Sequence, residues 1–82
     1  MKPLVEAWRT CALEKGREFM RSGEPAETIA KVALYECREE RRIVAEALFR
    51  DHPPIAASSA IEQIERSIRD LMISIIVQAR SK

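Results

Sequence analysis

Apolar residues recur along this chain at spacings of three and four, the period of one face of an α-helix, in three successive stretches. In the first, about residues 3–21, Leu4, Val5, Trp8, Cys11, Ala12 and Phe19 share a face. Gly16 lies at its edge, where the missing side chain suits a close helix crossing. Lys15 intrudes on the same face and is read as snorkelling, with a buried stem and a solvated ammonium. In the second, about residues 25–50, Ile29, Val32, Ala33, Cys37, Ile43, Val44, Ala47 and Leu48 form a broad apolar face. In the third, about residues 55–80, Ile61, Ile64, Ile68, Leu71 and Ile75 step by 3, 4, 3 and 4, the a/d seam of a helix that packs along its length. Met72, Ile76 and Ala79 widen that seam, while Ile73 and Val77 fall on the other side.

Two interruptions separate the stretches. "RSGEP" (21–25) places Gly23 where a helix ends in the left-handed region and Pro25 where the next one begins. "RDHPPIAASS" (50–59) holds two prolines and His52, which is read as a loop or helix-end residue. "SAIE" (59–62) has the form of a capping box, and an earlier start capped by Asp51 is the alternative. Pro3 suits a first helical turn. The expected architecture is all-α, a single-domain three-helix bundle with helices 2 and 3 long and antiparallel. A strand over 72–77, favoured by its Ile and Val content, yields to the helical spacing around it.

"LMISIIV" (71–77) is apolar at six of seven positions. One packed neighbour covers a stripe of about 100°, so this segment needs cover on two sides. A second copy of the chain supplies it in the expected arrangement, a homodimer with a seam at Ile68, Leu71, Met72, Ile75 and Ile76. A monomer with helix 1 laid across the run is the competing arrangement.

Composition narrows the function. In 82 residues the formal net charge is +1 and charged residues are 33% of the chain. Bulk charge therefore carries neither nucleic-acid binding nor nucleic-acid mimicry. Charges of both signs are interspersed, the pattern of solvated helix faces. The apolar run is too short for a bilayer, which takes about 20 residues. Two cysteines, Cys11 and Cys37, could form one bridge, but nothing else suggests a secreted scaffold; both stand on expected buried faces, where cysteine behaves as a small hydrophobe. The opening "MKPLVEAWR" lacks the apolar core of a signal peptide. The expectation is a reduced, cytoplasmic protein. No CxxC and no Glu-x-x-His pair occurs, and two glycines cannot form a phosphate loop. No metal, cofactor or catalytic residue is expected.

Two groups of side chains remain. Glu36 and Glu40 fall on the apolar face of helix 2, where a charge needs a partner. In an antiparallel hairpin residue 40 lies near residue 67, which makes Arg66 and Arg69 the expected ion-pair partners; a polar contact of the two glutamates to another protein is the alternative. On the opposite face, Tyr35, Arg38, Arg42 and Phe49 are spaced by 3, 4 and 7. Tyr and Arg are enriched at interface hot spots, so these four form a candidate docking strip for another protein. Burial of Tyr35 and Phe49 inside the bundle is the alternative. The expected function is that of a non-catalytic, stoichiometric regulator or inhibitor of a larger protein. By analogy of class only, small phage-encoded inhibitors have this form. The alternatives are a nucleic-acid-binding accessory protein using the Arg-rich "CREERR" stretch, interrupted by Glu39 and Glu40, and a structural oligomerisation subunit.

Overall fold

A computed structural model describes residues 1–81. It is helical throughout. α1 spans Lys2–Phe19 and runs on into one 3-10 turn, Met20–Ser22. α2 (Ala26–Glu36), α3 (Arg38–Asp51) and α4 (Pro54–Arg80) follow.

The start and stop residues act as their chemistry dictates. Pro3 lies in the first turn of α1, and Gly23 (φ 79°) ends the 3-10 turn in the left-handed region. Pro25 stands immediately before α2 rather than inside its first turn. α4 begins at Pro54, with Pro53 ahead of it in an extended conformation. The Ser59–Glu62 capping box is therefore not used; those residues already lie one turn inside the helix.

The second helix differs from expectation. It breaks at Cys37 (φ −99°, ψ 25°), so the described residues form four α-helices rather than three. Only one residue separates α2 from α3, and the hydrogen bonding hardly pauses. The Cys37 amide donates to Ala33 O at 3.1 Å and Leu34 O at 3.2 Å, and its carbonyl accepts from the Arg41 amide at 3.2 Å. Cys37 is also tied covalently, through a disulfide to Cys11 in the middle of α1. The two cysteines are thus a cross-link, and the expectation of a pair of free thiols does not hold.

α2 and α3 together form one bent rod, with α1 and α4 packed against both of its halves. A 27-residue helix is ~40 Å long, and α4 runs most of the 44 Å length of the molecule, which is 18 × 17 Å across. The core is a file of side chains along that axis. Trp8, Val44, Leu48, Ala57 and Ile61 are buried, as are Ala12, Ile29, Ala33, Ile68, Met72 and Ile76. Gly16 is buried against Met72: a Cβ on it would stand 2.9 Å from Met72 Cγ and Sδ. This is the close crossing the glycine suggested.

That core absorbs most of the predicted dimer seam. Ile68, Met72 and Ile76 are each 1% exposed within a single chain. α1 and the bent rod supply the two-sided cover that the apolar run requires. Ile75 is half-buried, and only Leu71 is exposed. Val32 and Ile43, placed on the apolar face of helix 2 by a straight wheel, are exposed as well. The bend at Cys37 changes the helix phase between them.

Candidate functional site

The bent rod and α4 do not close against each other along their outer edge. Between them runs a groove of about 660 Å³. Its α2–α3 wall carries Glu27, Lys31, Leu34, Tyr35, Arg38 and Arg41, which are successive positions on one side of the rod. Its α4 wall carries Glu65, Arg69, Asp70 and Ile73, spaced at the 4, 1 and 3 of one helix face. The floor is apolar, from Leu34 and Ile73, and the rims are charged.

Arg41 spans the groove and donates from Nε to Glu65 Oε2 at 3.0 Å. This is the ion pair that ties the rod to α4. The sequence places it on other residues, Glu36 and Glu40 with Arg66 and Arg69. The hairpin register is close to the expected one: 41 and 65 sum to 106, one less than the expected 40 and 67. The pairing has moved one step around each helix because the break at Cys37 turns Glu40 away from α4. Glu36 and Arg66 are exposed, and neither has an ion pair among the described residues. Arg69 stands 4.0 Å from its neighbour Asp70.

The docking strip is divided by the fold. All four of its residues are on the surface, so Tyr35 and Phe49 are not packed inside the bundle. Tyr35 is 64% exposed and lines the groove. Arg38 lies 4.5 Å over its ring and donates from Nη1 to the Tyr35 carbonyl at 3.1 Å. Such cation–π stacking is worth about 0.5–1 kcal/mol at an exposed site. Among the described residues Arg38 has no carboxylate partner.

Arg42 is on the surface of α3 and outside the groove lining. It is clamped between Glu39 and Glu46 on its own helix. Its hydrogen bonds hold the Glu39 carboxyl below the usual carboxylate range and raise the guanidinium's own pKa. A cation saturated in this way has little left for a partner. Phe49 is 47% exposed on α3 and also outside the groove.

The structure adds one cluster that composition argued against. Cys11 Sγ, Cys37 Sγ and a Glu40 carboxylate oxygen all lie within 4.8 Å of one another. The signal in the sequence is the Cys-x-x-Glu spacing of residues 37–40, which puts both side chains on one side of the first turn of α3. It is weak, because the third member comes from α1.

No family model, curated protein or solved structure matches the chain.

Proposed function

We propose that this protein is a non-catalytic, stoichiometric regulator or inhibitor that takes a segment of a larger partner protein into the groove between the α2–α3 rod and α4. The observation that carries the reading is the Tyr35–Arg38 pair at the groove wall. A highly exposed aromatic is stacked with a guanidinium that forms no salt bridge among the described residues. Tyr and Arg are the residues that most often dominate binding energy at interfaces. The partner segment offers an apolar side chain to Leu34, Tyr35 and Ile73, and a carboxylate to Arg38 or Lys31 at the rim. Arg41 is already bound to Glu65 and serves as a strut. The proposed setting is the cytoplasm, where a disulfide is ordinarily transient or redox-sensing rather than permanent.

The test is affinity capture from source-cell lysate, with and without nuclease, by wild type, Tyr35→Ala and Arg38→Glu. Each variant is melted by circular dichroism in parallel. Both positions are exposed, so the melting midpoints should stay close to wild type. Capture of a defined protein should fall at least about tenfold. Undiminished capture by both variants would remove the groove from the reading. Capture that nuclease abolishes would favour nucleic acid, held by Lys31, Arg38 and Arg69.

A further inference from the structure

We propose that reduction of the Cys11–Cys37 disulfide creates a binding site for a thiophilic divalent cation of the Zn²⁺ type, with Cys11, Cys37 and Glu40 as its three protein ligands. The three donor atoms already lie within 4.8 Å of one another. They come from two helices, Cys11 from α1 and the other two from the break and first turn of α3, so the ligand set is fixed in space by the fold. Two thiolates on one zinc ion, each at about 2.3 Å, stand roughly 3.7 Å apart in tetrahedral geometry. They remain inside the span the cluster already occupies.

Glu40 is the second observation. It is half-buried, and it has neither an ion pair nor a side-chain hydrogen bond among the described residues. A partly buried carboxylate without a partner costs stability. It stands at the third position of α3, where a glutamate ordinarily reaches back to the capping residue's amide. Here that amide is committed to Ala33 and Leu34, and the carboxylate lies beside the sulfurs instead. A cation bound by two thiolates would give it a partner. Solvent would hold the fourth position.

The chemistry balances with a dithiol as reductant. Its two sulfurs give up two electrons and two protons and close to a disulfide, while Cys11 and Cys37 become thiols. Binding of the cation then releases the two thiol protons to solvent. One cross-link between α1 and the break is exchanged for another, covalent in oxidising conditions and coordinate in reducing ones.

The experiment is a Co²⁺ titration of the full chain, reduced with a thiol-free phosphine and followed by absorbance, with Zn²⁺ added afterwards. The oxidised chain, Cys11→Ser and Glu40→Gln are titrated alongside. The expected result has four parts. One equivalent of Co²⁺ gives a thiolate charge-transfer band in the near ultraviolet, which Zn²⁺ abolishes. The oxidised chain gives none. Cys11→Ser loses the band. Glu40→Gln binds at least about tenfold more weakly, while its disulfide forms as in wild type. Absence of the band in the reduced wild type would overturn the proposal. So would equal affinity in Glu40→Gln, because two thiols in a loose or unfolded chain bind without regard to residue 40. Circular dichroism of the reduced chain, before and after Zn²⁺, reports the same answer independently, since a built site raises the melting midpoint and adventitious binding does not.

Discussion

Gly16 shows how a single residue sets the spacing of two helices. Alanine in a helix interior is favoured over glycine by up to about 1 kcal/mol, which predicts a gain from Gly16→Ala on an open surface. This glycine is buried, and a Cβ would come within 2.9 Å of Met72. Met72 is itself 1% exposed, so it cannot give way into solvent. Overpacking of this kind costs about 1–3 kcal/mol. We therefore expect Gly16→Ala to lower stability by about 1 kcal/mol in urea denaturation. The cost should shrink when Met72 is shortened to alanine in the same chain, because the two changes share one contact. Equal costs in the two backgrounds would show that the helices simply move apart. Gly16 was legible as a crossing in the sequence because it sits on the edge of an apolar face. Its partner was not, since spacing says nothing of which helix lies opposite.

At the scale of elements, the break at Cys37 decides most of what the sequence concealed. No proline or glycine marks it, and Glu36, Arg38 and Glu39 all tolerate a helix well. A local reading therefore continues the helix through it, and every side chain beyond it acquires the wrong phase. Glu40 was turned towards α4, whereas the fold sets it beside Cys11 and Cys37 and pairs Arg41 with Glu65 on α4. The capping box at Ser59 failed for a simpler reason: Pro54 already starts a helix, and the box falls inside it. The break is also tied to α1 by a tertiary bond, the disulfide to Cys11. A disulfide closing a separation of 26 residues contributes about 3.5 kcal/mol in the chain-entropy account. For a chain of this size that corresponds to a fall in Tm of roughly 15 °C or more on reduction or on replacing both cysteines with alanine. Scanning calorimetry with and without reductant, in the absence of added metal, measures it. A shift of only a degree or two would mean that packing against α1 fixes the bend unaided.

For the molecule as a whole, the all-α class was written in the periodicity, and the ends of α1 and the start of α4 in Pro3, Gly23 and the two prolines at 53 and 54. The assembly was not. Hydrophobic spacing shows that a face must be covered but is silent on whether another helix or another chain covers it. Here Ile68, Met72 and Ile76 are covered from within. We accordingly expect a solution mass of 9.4 kDa by light scattering, independent of concentration. A mass twice that value, lost on Leu71→Ala, would restore the homodimer through the face left exposed.

The dimensions of 44 × 18 × 17 Å also carry a consequence for hydrodynamics. A body about two and a half times longer than it is wide rubs against more solvent than a sphere of equal mass. It diffuses more slowly, and it reorients faster about its long axis than end over end. On a sizing column such a monomer elutes early, in the direction of a dimer. The signature of the rod is therefore a monomeric mass combined with a raised frictional ratio in sedimentation, and amide relaxation rates that depend on each helix's angle to the long axis. The three long elements lie along that axis, so Tyr35 and Arg38 are carried near the middle of a narrow shaft, reachable by a partner from the side.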